Sequence, residues 1–301
     1  FARAHLALAQ AYMILPPYSD ESETKMFGQA EVALERAEAL DPALGAEVRG
    51  TRGHIASRQL RWIEAHEDFQ YAVEHAPEKA EIHSWFSEFL GGVGHNVLAL
   101  EHAKIAREVD ALSPAINARL AVAYMWVDDQ DAATRQWAIV DELGFRGTEA
   151  FAGFWQTYLL WLLRQGDAAG ARQALSYYQQ QAGLPVEQVL PLINAFLDPR
   201  LRDQAAQAAR RAVAAKMIAS ALQLPMWILL DEMDAAFHAL EATPWNLSLP
   251  FLFAHESDHF RADPRFEQLA ERIGLTAYWR EYGWPDADPR FASEKSEEIS
   301  R

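Results

Sequence analysis

Three prolines in the first half of the chain recur at nearly one interval. Asp41-Pro42, Ala76-Pro77 and Ser113-Pro114 lie 35 and 37 residues apart. Proline has no N–H to give a helix, and its ring clashes with the preceding turn, so each should end one helix and open the next unit. Between them, apolar residues return at three- and four-residue steps, in runs of roughly 10–17 residues broken by Gly, Pro or Asp. Alanine is abundant, which favours helix and lets helices approach closely. Period-2 alternation and Asn-Gly or Asp-Gly hairpin turns are absent. The expectation is an all-α chain made of repeated helix pairs.

The register of each pair supports this. Counting back from Pro77 sets Gly53, Ala65, Phe69 and Ala72 at small, small, large and small positions. Counting forward, Phe86, Leu90, Ala99, Ala103 and Ala106 fall at matching places, then Leu120, Ala121, Tyr124, Ala133 and Trp137, then Trp155, Tyr158, Leu162, Gly166, Ala171 and Leu175. Upstream, Leu8, Ala9 and Tyr12 pair with Ala30, Leu34 and Ala37 across an insertion around Pro16–Glu23. Small residues at a helix crossing let backbones approach, and a large one fills the gap to the next pair. The spacing resembles the tetratricopeptide repeat, whose period is about 34 residues. The predicted fold is a tetratricopeptide superhelix of about seven helix pairs, the later ones degenerate, with a short C-terminal capping helix. Regular repeats are expected over 1–182, degenerate ones over 183–243, a linker and cap over 244–285, and a flexible acidic tail over 286–301.

Charge narrows the partners. Acidic residues number 43 against 27 basic, a formal charge of −16, which disfavours nucleic-acid backbones and anionic lipid surfaces. Cysteine is absent, excluding thiol catalysis, thiolate metal sites and disulfides. Apolar runs near Phe154–Leu163 and Leu224–Leu230 fall short of the roughly 20 residues that span a bilayer. The chain opens on Phe1 rather than Met, and is expected to be a segment of a longer protein, cytoplasmic or, if its parent is membrane-anchored, periplasmic.

Four passages carry a further resemblance: "FARAHLALAQAY" with "AEVALERAEALDP", "RWIEAHEDFQYAVEHAPEKAEIHSWFSEFL", "AREVDALSPAINARLAVAY" and "DAAFHALEATPWNLSLPFLFAHESDHFRADPRFEQLAERIGL". Over about residues 1–288 the chain resembles the C-terminal tetratricopeptide region of bacterial winged-helix transcription regulators, TolB-like proteins and multidomain class III adenylate cyclases. In the closing passage, Asp263, Pro264, Arg265 and Phe266 match the family's Asp-Pro-Arg-Phe segment. The resemblance implies a non-catalytic regulatory or sensing module joined to an effector.

One motif carries enzyme chemistry. His255, Glu256 and His259 fit H-E-x-x-H, which on a helix sets two metal ligands on one face beside a general base. Asp263-Pro264 leaves only about two turns, and no third histidine follows at metzincin spacing. A metal-dependent hydrolase is therefore the alternative from another class, and no cofactor is expected. Gly91-Gly92-Val93-Gly94 and Asp128–Asp131 read as inter-helix turns, with Asp131 as a helix cap. Most tryptophans fall at packing positions.

Peptide recognition remains the leading expectation. The first helix of each pair lines the inner groove of this fold. By register the groove would present Glu47, Gly50, His54 and Ser57, then Glu81, Ser84 and Glu88, then Ala118, Val122, Met125, Gln156, Leu160 and Leu163. It would be acidic at one end and apolar at the other, suiting a basic, partly apolar peptide. Self-association and small-ligand sensing around Met125 and Leu160 are the rival readings.

Overall fold

The computed structural model describes residues 1–15, 22–144, 149–182, 186–216, 218, 220–242, 249–288 and 290. The insertion around Pro16 and residues 291–301 of the expected tail lie outside them, as does the Trp155 side chain. Among the described residues seven antiparallel helix pairs follow one another: α1 (Ala2–Ile14) with α2 (Glu23–Leu40), α3 (Gly45–Arg58) with α4 (Trp62–His75), α5 (Ala80–Gly92) with α6 (Asn96–Val109), α7 (Pro114–Trp126) with α8 (Gln130–Glu142), α9 (Glu149–Arg164) with α10 (Ala168–Ala182), α11 (Val186–Leu197) with α12 (Arg202–Ala214), and α13 (Ser220–Leu229) with α14 (Met233–Ala242). Among the described residues there is no strand. The tetratricopeptide superhelix is therefore the fold.

Local chemistry explains the periodicity. Asp41 accepts from the Ala43 amide just before Pro42, and Ser113 does the same for Ile116 at the start of α7, so two of the three prolines sit in capped helix starts. Ala9, Ala30, Ala65, Ala72, Ala99, Ala103, Ala121, Ala133 and Ala171 are fully buried at the crossings. At Gly53 an added Cβ would lie 3.2 Å from the Ala65 carbonyl oxygen and the Phe69 ring, so this crossing accepts little more than hydrogen. Each regular turn inside a pair carries one left-handed residue two positions past the helix end: Leu60, Gly94, Asp128, Gly166 and Asp231. Asp129, not the expected Asp131, caps α8 by accepting from the Ala132 amide.

The closing segment contains α15 (Leu249–Leu252), a 3-10 turn at His255–Ser257, α16 (Asp258–Ala262), α17 (Arg265–Arg272) and α18 (Leu275–Tyr282). It runs back along the edge formed by the turns of the second, third and fourth pairs. Trp62 Nε1 donates to the Ile273 carbonyl at 2.7 Å, and Trp279 Nε1 to that of Val93 at 2.8 Å. Asn96 Nδ2 donates to both Trp126 O and Phe253 O. The strap's own Phe253, Phe260, Phe266, Leu275, Tyr278 and Trp279 are buried. Asp286 accepts from the amides of Asn96 and Val97, capping α6 from 190 residues away, and the Ala287 amide donates to Gly94 O. Asp286–Asp288, expected to begin the flexible tail, are thus tied to the folded body: Asp286 satisfies amides that α6 cannot satisfy alone, and Asp288 lies 3.9 Å from the buried Arg261.

Candidate functional site

The inner face is built from α3, α5, α7 and α9. On α3, His54 packs edge-on against Trp85 of α5, with ring centroids 5.7 Å apart. Ser57 Oγ donates to the His54 carbonyl at 2.7 Å. One turn beyond Trp85, Glu88 accepts from Arg119 Nη2 of α7 at 2.6 Å. The Arg119 guanidinium stands 4.7 Å over the Phe154 ring of α9. Arg58 completes the cluster, pairing with Glu23 at 2.6 Å. The Nε atoms of Arg58 and Arg119 are buried with no hydrogen-bond acceptor among the described residues.

Electrostatics follow from this packing. Burial, aided by Arg58 and Arg119 and opposed by Glu88, pushes the His54 pKa down to about 4, so near neutrality it is an uncharged hydrogen-bonding ring. Burial pushes the Glu88 carboxyl up, but Arg119, His54 and Arg58 outweigh it and hold it below its ordinary value. Glu88 nevertheless keeps 38% of its side chain exposed, whereas Arg119 keeps 10%. A carboxylate open to the groove is thus braced from behind by a nearly buried cation.

The groove expected from sequence is assembled only in part. His54, Ser57, Ser84, Glu88 and Gln156 are half-buried, and Glu81 is exposed. Glu47 pairs with Lys79 and lies 3.6 Å from Arg3, so it is not a free acidic end. Val122, Met125 and Leu160 are 3%, 2% and 6% exposed, and do not line the groove. First helices of successive pairs pack on one another here, turning those positions into core; Met125 Sδ accepts from Trp137 Nε1 at 3.4 Å. Met125 and Leu160 thus offer almost no surface to a small ligand in the groove. Arg119, which sequence reasoning missed, takes the place expected of Ala118 and Val122. Its signal was an arginine in an otherwise apolar helix, where an unpaired charge is costly and a partner is required.

The H-E-x-x-H segment does not form the helical metal site. His255 and Glu256 lie in the 3-10 turn, and His259 lies in α16. Glu256 is clasped by Arg164 through two bonds of 2.6 and 2.7 Å. His255 Nδ1 lies 2.9 Å from Asp258, and His259 Nε2 donates to the Ile228 carbonyl at 3.1 Å. These groups border an open cleft of about 460 Å³ beside Ile228, Leu229 and Arg202. Among the described residues no three metal-ligating side chains converge, so the general base of the alternative reading is a structural ion-pair partner.

No family model matches the chain, and no curated protein does. Several solved structures are similar, among them the following three. A tetratricopeptide repeat protein from Parabacteroides merdae superposes with a TM-score of 0.51 at 13% identity, covering 91% of this chain and 99% of that one. PilF of Pseudomonas aeruginosa gives 0.49 at 14% identity, with 87% and 97% covered. PilW, described as a widely conserved type IV pilus biogenesis factor, gives 0.47 at 16% identity, with 86% and 97% covered. The first of these agrees with the fold derived above, and with the fold alone. Among the described residues no helix is long and apolar enough to cross a membrane.

Proposed function

We propose that this chain is a non-catalytic protein-interaction module that binds a peptide on its inner face around His54, Trp85, Glu88 and Arg119. The observation that carries this reading is Glu88, open to the groove yet held by a nearly buried arginine beside aromatic rings. Such an arrangement offers a peptide a half-exposed carboxylate for its amides and aromatic surface for its side chains. Because Glu47 and Glu88 are already paired with cations, the groove does not select a strongly basic peptide; of the expected acids, Glu81 alone faces solvent with no cation beside it among the described residues. The test is peptide display against the wild-type chain and a Glu88→Gln/Arg119→Met variant whose helicity is checked by circular dichroism. The expected outcome is a sequence family recovered by wild type and lost by the variant; identical families from both would refute the groove.

The resemblance of the four sequence passages supports a finer proposal. The module serves as the control arm of a bacterial signalling or transcription-regulating protein, with regular repeats over 1–182, degenerate ones over 183–243 and a linker and cap over 244–285. Sequencing the parent gene upstream of Phe1 tests this. A winged-helix or cyclase domain supports it, and a gene encoding no effector overturns it.

A further inference from the structure

The outer face of α6 departs from that of its neighbours. Leu98, His102, Ile105 and Val109 follow one another at steps of four, three and four, the spacing of a coiled-coil seam. Leu112 continues the line from the following turn, where Asp110 accepts from the amides of Leu112 and Ser113. Leu98, Ile105, Val109 and Leu112 are 42%, 38%, 44% and 77% exposed. By contrast, α4 turns Glu64, Glu67, Gln70 and Glu74 outward, and α8 turns out Asp131, Thr134 and Arg135. The middle of the α6 stripe is anchored from below. His102 Nδ1 lies 3.0 Å from His83 Nδ1, and its ring is 4.5 Å from Phe86.

The charges around the stripe select an occupant. Glu101 and Glu108 are exposed three residues after Leu98 and Ile105, flanking the seam on one side. The adjacent α4 adds Glu67 and Glu74. Of the basic residues on α6, Lys104 leans away over the Tyr124 ring at 5.8 Å, and Arg107 is half a helical turn from the seam. A second copy is disfavoured: antiparallel pairing centred between Lys104 and Ile105 sets Glu101 against the other copy's Glu108, within molecules each carrying −16. We propose that this face docks an amphipathic helix of a partner protein, with an apolar heptad stripe and Lys or Arg at its flanks. The seam spans about three helical turns, roughly 16 Å at 1.5 Å per residue, enough for two to three anchor side chains.

The probe is a helical peptide of about 20 residues with Leu at its a and d positions and Lys at e and g, beside a twin with Glu at e and g. Fluorescence anisotropy at about 0.15 M salt keeps non-specific attraction screened. The Lys-flanked peptide should bind wild type, and bind about tenfold or more weakly to a Leu98→Gln/Ile105→Gln/Leu112→Gln variant. These are surface substitutions, so folding is retained. A Glu101→Lys/Glu108→Lys variant should reverse the preference toward the Glu-flanked twin. The groove variant Glu88→Gln/Arg119→Met should bind as wild type does, which separates this surface from the inner face. The inference is overturned by three results: absence of binding, equal binding to the triple variant, or self-association of wild type in ultracentrifugation that the triple variant abolishes.

Discussion

Trp279 is the side chain on which docking of the C-terminal strap should most visibly depend. Its side chain is buried at 2% exposure between Phe253 and Trp284, and its indole N–H donates to Val93 O at 2.8 Å. Truncation to alanine removes on the order of 150–200 Å² of buried surface, about 4–5 kcal/mol at 25 cal/mol per Å². It also leaves a buried carbonyl without its donor, which costs about 1 kcal/mol or more. Trp279→Ala should therefore destabilise the chain by about 5 kcal/mol. Trp279→Phe keeps most of the ring and loses the hydrogen bond, for about 1–2 kcal/mol. Urea titration by circular dichroism measures the totals, and hydrogen exchange locates the loss. Amides of α15–α18 and of the Val93–Val97 turn should lose protection first, because the strap and that turn share their hydrogen bonds. If Trp279→Ala stays within about 1 kcal/mol of wild type, or Trp279→Phe is equally damaging, the account of the strap is wrong.

Three further outcomes follow from particular residues. Arg164→Met alone strands the Glu256 carboxylate, 11% exposed, and should cost about 3–5 kcal/mol, whereas the joint Arg164→Met/Glu256→Met change should be far milder; urea midpoints decide between coupled and independent effects. Gly91→Ala would drive its Cβ into the Trp126 ring, destabilising by about 1–3 kcal/mol, and Trp126→Leu in the same chain should recover part of that loss in a double-mutant cycle. Burial holds His54, His66 and His102 down to pKa values of about 4, and lowers His83 as well. The unfolded chain protonates these rings near 6.5 while the folded one does not, so stability is lost as pH falls from about 6.5 toward about 4. Asp68, raised to about 6 by burial, works in the opposite sense, its neutral form being favoured in the folded chain. Thermal melts should show a shallower acid loss for His66→Phe/His102→Phe; an unchanged slope would show that these rings are not its source.

The helix pairs were legible because their causes are local. Alanine at 65, 72, 99, 103 and 106, phenylalanine at 69 and a proline at each of the first three unit boundaries specify helix, crossing and stop within one repeat length. The 34-residue step also appears in the turns at Leu60, Gly94 and Asp128, although only Gly94 announces it by residue type; leucine and aspartate are held left-handed by the helices on either side. The groove was half legible. Helical register identified its first helices, but it could not tell a residue facing the groove from one facing the next repeat, and Val122, Met125 and Leu160 fell on the wrong side.

Sequence by itself thus determined an acidic all-α chain of stacked helix pairs, because short-range periodicity and helix stops are sufficient for that. Only tertiary structure decided where the closing segment lies, since its anchors include the carbonyls of Val93, Gly94 and Ile273, and a backbone acceptor has no residue-type signature. Tertiary structure likewise turned Glu256 from the apparent base of a metal motif into the partner of Arg164, 92 residues earlier. Burial of a carboxylate requires a cation wherever the chain can supply one, and that choice is made by packing across the molecule.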